Sequence, residues 1–338
     1  MQEKDNNINE NLDVVQNEIV EEKELNEDAL KNFKKPIEIN SKEEMYEGLS
    51  SAQKAFTDYF NKNKKVNTII VVVFMALIVV AIFGLGQNGN AMPLILGLVI
   101  VYFIVLFVFS KRTKTKLNAD ADKIINDYFL NVDSYITQNE HFSDVCFDVN
   151  AKMEEERIKE LRIVKDINHV GGRDVIVGKI DNHPFIAGDV LVKTKETVDE
   201  KTQQFIVFLG KMFIVERPNI VNDGRIIIYL KGKGANGPTD IEDLTLQENV
   251  LSDKFAVYAS CDVSNVLNEN VVALLEQYEN NELLIDMFIT IDASRVSFGF
   301  SYSDAVMRVP LLDEFKAETI DQYKQDVERM IAIFTAIK

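Results

Sequence analysis

The sequence predicts a membrane α-hairpin of two transmembrane helices joined to a cytoplasmic α+β domain with a mainly antiparallel sheet. Three observations predict it. Two apolar runs without a single charge, at 66–86 and 91–109, lie four residues apart. Basic residues flank the pair and are missing between its members. Beyond them, strand-like stretches cluster rather than alternating one-to-one with helices, the pattern of an antiparallel α+β domain rather than a parallel sheet.

Residues 1–40 read as a disordered acidic tail. They are polar, rich in Asn and Glu, and lack an apolar run to bury. The first apolar run starts only at Val66, so no signal peptide is expected. Pro36 marks the end of the tail, and Ser41 with Glu44 forms the S-x-x-E pattern of a capping box. Met45, Leu49, Ala52, Phe56 and Phe60 follow at helical spacing, so 41–65 is expected to be an amphipathic juxtamembrane helix.

The run at 66–86 and its successor at 91–109 each approach the roughly 20 residues that a helix needs to cross about 30 Å of hydrocarbon. Both are apolar on every side, as contact with lipid requires. The connection 87–90 (QNGN) carries an Asn-Gly turn signal, and Pro93 falls in the first helical turn, where its missing N–H costs no bond. Lys62, Lys64 and Lys65 precede the first span, and Lys111, Arg112, Lys114 and Lys116 follow the second. Seven basic residues outside the turn against none within it place both termini in the cytoplasm, at the inner membrane. No ionisable residue lies in either span, so neither a proton relay nor a pump is expected.

After the spans the helical stripe resumes with Leu117, Ala121, Ile124, Ile125, Tyr128, Phe129, Val132 and Ile136, giving a second juxtamembrane helix over 111–140. The domain at 141–338 begins with a short charged helix at 152–162. Strands are expected at 174–180, 185–193, 204–216, 225–230 and 255–260, with a polar loop at 194–202 and a mobile loop at 231–239. A helix is expected at 263–278, and a hairpin of strands 285–292 and 295–301 turns at Ala293-Ser294. The last helix, 314–337, aligns Phe315, Ile320, Tyr323, Val327, Met330, Ile331, Phe334 and Ile337 on the face that should seal the sheet.

Charge excludes some functions. Residues 1–50 hold 14 acids against 6 bases and residues 111–338 hold 39 against 27, within a total of −17. Such surfaces repel phosphate backbones, so no nucleic-acid partner is expected. The expected partners are the lipid bilayer and a protein in the membrane or cytoplasm. Cys146 and Cys261 form no CxxC pair, and His141, His169 and His183 sit in no metal-binding spacing, so no metal or cofactor is expected. Gly232 and Gly237 match the outer spacing of a P-loop, but Pro238 stands where the lysine belongs. The acids Asp240, Glu242 and Asp243 carry no EF-hand glycine.

Three stretches carry a resemblance: Gly178-Lys179-Ile180, FLGKMFIV at 208–215, and FAVYASCD at 255–262. With VSFGF at 296–300 and the stretch 312–315, they resemble the bacterial family catalogued as domain of unknown function 3137, over roughly residues 60–335. The chain departs from that family at Val266-Leu267-Asn268-Glu269, where an aromatic-Leu-Thr-Pro segment is usual, and at Gly172-Arg173-Asp174, where a Glu-Asp pair is usual. The resemblance implies a bacterial cytoplasmic-membrane protein and transfers no activity. A membrane-anchored binding or scaffold module is therefore the leading expectation. An enzyme built from dispersed acids, or an accessory subunit of a larger membrane complex, is the alternative.

Overall fold

The computed structural model describes residues 32–85, 91–198, 201–221, 224–231, 237–248, 250–302, 309, 311–312 and 317–337. Of the tail expected at 1–40, residues 1–31 lie outside the described residues, as do the turn at 87–90 and most of the loop at 231–239. The chain divides into two compact units, residues 41–128 with 309–315, and residues 1–40 with 129–308 and 316–338.

The first unit is built on α1 (Lys42–Leu85) and α2 (Ala91–Thr137), whose last nine residues belong to the second unit. The Ser41 hydroxyl accepts from the Glu44 N–H at 3.0 Å and so caps α1. Each juxtamembrane helix and the apolar run beside it form one continuous helix. Nothing breaks them at 65 or 110, because the lysine-rich junctions contain no Pro or Gly and lysine is a good helix former. Phe74 and Tyr102 bring α1 and α2 together with ring centroids 5.0 Å apart, and the Lys116 ammonium lies 4.2 Å from the Tyr59 ring centre. Both helices are long and apolar enough to cross a membrane.

The second unit is one open sheet of nine strands, ordered β1-β2-β3-β4-β9-β8-β5-β7-β6 and antiparallel at every pairing. The strands are β1 (Phe142–Asp148), β2 (Ile167–Ile180), β3 (His183–Val198), β4 (Lys201–Glu216), β5 (Ile226–Leu230), β6 (Thr245–Gln247), β7 (Phe255–Ala259), β8 (Leu284–Ile291) and β9 (Arg295–Tyr302). Short helices α3 (Glu155–Glu160) and α4 (Glu269–Glu276) interrupt them, and α5 (Ala317–Ala336) closes the chain.

One sheet face packs Val175, Val177, Val190, Met212, Ile214 and Phe288 under Met153, Ile158 and Leu161 around α3. The other face lies under α4 and α5, where Tyr278 meets Phe300 and Tyr323 meets Tyr302, at 5.8 and 5.9 Å. The apolar stripe of α5 is buried from Ile320 to Ile337, as expected; Phe315 lies outside the described residues. Arg217 secures the end of α5, its guanidinium donating to the Phe334 and Ile337 carbonyls at 2.7 and 2.8 Å.

Four expectations need correction. Residues 194–198 and 201–202 are not a loop, because β3 and β4 pair out to Val198 and Lys201. Their polar side chains hid a ladder that depends only on backbone groups. Helix α4 begins at Glu269 rather than 263, since the Asn268 side chain accepts from the N–H groups of Asn270 and Val271 and sets the helix start there. Strand β1 was not expected, because a register shift between Ser143 and Cys146 breaks its alternation. Finally, part of the assigned tail is ordered: Lys34 exchanges backbone hydrogen bonds with Phe147 at 2.7 and 2.8 Å, and the Ile37 N–H donates to the Ser134 hydroxyl at 3.0 Å. Phe33 packs against the apolar cluster under α3.

Candidate functional site: a lysine ringed by carboxylates, and an open charged cleft

Along β4, Lys211 interrupts an otherwise apolar run and points to the face under α5. Its neighbours in register are Asp189 on β3 and, across Asp189, Arg173 on β2, so charges alternate across three strands. Asp174 joins them because β2 bulges between Arg173 and Ile176, with Asp174 itself at φ 61°. Gly172 makes the bulge possible. Its φ is +150°, and a Cβ there would come within 1.9 Å of the Asp189 carbonyl oxygen. The fourth member comes from α2, where Phe129 and Asp133 stand one turn apart.

The Lys211 ammonium pairs with Asp174, lies 3.3 Å from Asp189 Oδ1 and 3.6 Å from Asp133 Oδ1, and is 5.9 Å from the Phe129 ring centre. The Arg173 guanidinium covers the same ring at 4.7 Å. The Lys211 side chain is 4% exposed and the three carboxylates between 0 and 7%. Three acids cannot all stay ionised around one cation here. Burial, then the Asp174 charge, push Asp133 well above the usual carboxylate range. Burial likewise pushes Asp189 up to about 7. Burial alone would lower Lys211, but the three acids hold it well above its ordinary value. The arrangement holds these charges in a closed space.

A second buried acid, Asp326, lies within the apolar stripe of α5. It accepts from Tyr302 at 2.9 Å, Asn281 at 2.7 Å, Gln322 at 3.1 Å and Arg329 at 2.9 Å. Burial raises its pKa to about 6 against these bonds. A lone lysine inside FLGKMFIV and an aspartate inside an apolar stripe were the only sequence signals of either network.

The residues singled out in the sequence do not converge. His141 Nδ1 meets Asp181 Oδ1 at 2.7 Å, and the Thr335 hydroxyl donates to the other Asp181 oxygen at 3.0 Å. His183 packs edge-on against Phe334, and His169 sits elsewhere, on β2. Asp240 and Asp243 are occupied by Arg162 and Arg225, the closest contact being Arg225 to Asp243 Oδ1 at 2.7 Å, while Glu242 pairs with Lys165. At the end of the P-loop-like segment, the Thr239 N–H donates to the Ile163 carbonyl at 2.9 Å and the Thr239 hydroxyl accepts from the Lys165 N–H at 2.9 Å. Cys146 and Cys261 are free thiols, both raised in pKa by burial. Among the described residues no group of three or more His, Cys, Asp or Glu is placed to hold a metal ion.

The open feature of this unit is a cleft of about 590 Å³ over Ile214 and Pro218. Glu154, Glu156, Glu160 and Glu216 line it with Arg157 and Arg295. Arg157 reaches Glu216 at 3.7 Å and Arg295 reaches Glu160 at 3.1 Å, so two acids more than bases face the opening. None of the carboxylates that burial raises lines this cleft.

These features together define two long apolar helices followed by an open, mainly antiparallel sheet. No family model and no curated protein matches the chain. Among solved structures it is similar to the mycobacterial trehalose monomycolate transport factor A, TtfA, at 11% identity and a TM-score of 0.33, over 62% of this chain and 96% of that one.

Proposed function

We propose that the protein is a membrane-anchored cytoplasmic binding module, of the kind represented by the domain of unknown function 3137 family. One observation carries the anchor: eighteen large apolar side chains, including Val80, Phe83, Phe103 and Phe107, stand exposed on α1 and α2. A patch of that extent faces lipid or a partner rather than water, whereas the core helices of soluble proteins bury such residues. The basic residues at 62–65 and 111–116 support an orientation with both termini in the cytoplasm. The binding role rests on the cleft, where Glu154 and Glu156 add two acids to the Arg157–Glu216 and Arg295–Glu160 pairs, a lining suited to a cationic group on a protein partner. The enzyme alternative is disfavoured, because the perturbed carboxylates lie in closed networks away from the cleft.

Cysteine labelling in intact cells tests the anchor. Asn88→Cys should react with a membrane-impermeant maleimide, whereas Cys261 should react only after permeabilisation. Labelling of Cys261 from outside would overturn the orientation, and loss of the chain from the membrane fraction would overturn the anchor.

A further inference from the structure

Where the apolar part of the hairpin gives way to polar sequence, α1 and α2 line an open cavity of about 340 Å³, within the size range of small-ligand sites. Lys64 and Asn67 line it from α1 and Ser110, Thr113 and Lys114 from α2, over the apolar floor of Phe60. No acid lines it, so it carries two positive charges in a chain whose total is −17. The basic side chains beside it differ in placement. Lys62, Lys65, Lys111 and Arg112 do not line the cavity, and Lys116 is engaged with the Tyr59 ring.

We propose that this cavity binds the phosphate of an anionic phospholipid headgroup in the cytoplasmic leaflet. The inference rests on the membrane reading above, which sets the apolar runs at 66–86 and 91–109 in hydrocarbon and the cavity at headgroup depth. Two lysines supply the charge for a phosphate, the hydroxyls and amide supply donors, and the apolar floor suits the start of an acyl chain. Basic pockets between transmembrane helices on the cytoplasmic side recognise anionic headgroups in this way. A lipid held between both helices would also fix their spacing.

The test is native mass spectrometry of the full-length protein in detergent, titrated with phosphatidylglycerol or phosphatidylcholine, alongside carbonate extraction of membranes from the producing cells. Phosphatidylglycerol should bind selectively. Lys64→Gln with Lys114→Gln should weaken it by ~30-fold, at about one lysine's worth of surface attraction each. Lys111→Gln with Arg112→Gln, an equal loss of charge outside the cavity, should retain most of the binding. Equal weakening by both pairs, or equal retention of phosphatidylcholine, overturns the site. Displacement of the lipid by inorganic phosphate at matching concentration assigns the cavity to free phosphate and overturns the lipid. If carbonate keeps the parent in the pellet while binding is unselective, the site fails and the anchor stands. If carbonate releases the parent, the anchor fails and the site with it.

Discussion

At Lys211 the sheet holds a full positive charge away from water, and three aspartates share the task of compensating it. Removing one partner of a buried ion pair typically costs about 3–5 kcal/mol, because the other charge is left uncompensated. Lys211→Met should therefore destabilise strongly, and more at pH 8 than at pH 5.5, where Asp133 and Asp189 can take up protons. The parent has its own pH signature. Asp189 and Asp286 are raised to about 7 and Asp326 to about 6, against 3.8 for an ordinary aspartate. Between those values the folded state binds more protons than the unfolded one, so stability falls as pH rises through this window. Asp181, Asp243, Asp262 and Asp292 are lowered, and their contribution is lost only below the ordinary value. Melting of the full chain in detergent should thus show a lower Tm at pH 8 than at pH 5.5, with the slope flattened in Asp189→Asn. A Tm that rose across that interval would refute the assignment.

Among the elements, α5 offers the sharpest contrast. Val327 is buried against the sheet and Glu328 is exposed, although they are sequence neighbours. Val327→Asp places an unpaired charge in an apolar site beside Asp326, a cost of several kcal/mol against a total of about 5–15. Glu328→Lys should leave the melt nearly unchanged. Unfolding curves of the two variants and the parent check this, and a parent-like Val327→Asp would mean that α5 does not seal the sheet. That face was legible because helical periodicity survives single interruptions, and the β8–β9 hairpin was legible from Ala293-Ser294. The Asp292 side chain, which fixes that turn, accepts from the Ser294 and Arg295 N–H groups. Strand β1 was illegible because alternation does not survive a bulge. The ion network was illegible because Asp174 and Lys211 lie 37 positions apart and no local pattern couples them.

At the scale of the whole molecule, the acidic N-terminal region has a docked segment at 33–39. Deleting residues 1–31 removes none of the described contacts, so insertion and Tm should be unchanged. Deleting 1–39 removes the Lys34 pairing with Phe147, the Phe33 packing, and the bonds from Ile37 to Ser134 on α2 and from Ile39 to Gln138 just beyond it. Each net hydrogen bond is worth about 0.5–1.5 kcal/mol, and the buried Phe33 surface adds to them. The longer deletion should therefore lower Tm by several degrees in a thermal melt, and equal melts for the two deletions would show that the docked segment contributes nothing.

The docked segment has a consequence for crowding. An open sheet ends in two rows of unpaired backbone groups, which invite another molecule's strand. Here β6 offers three residues, and the longer border at β1 is part-covered where Lys34 bridges Phe147. Chains anchored in one bilayer, as proposed above, would meet far more often than chains diluted in three dimensions. In that setting the segment at 33–39 would leave less of the β1 border open to another strand, with Lys34 already paired to Phe147.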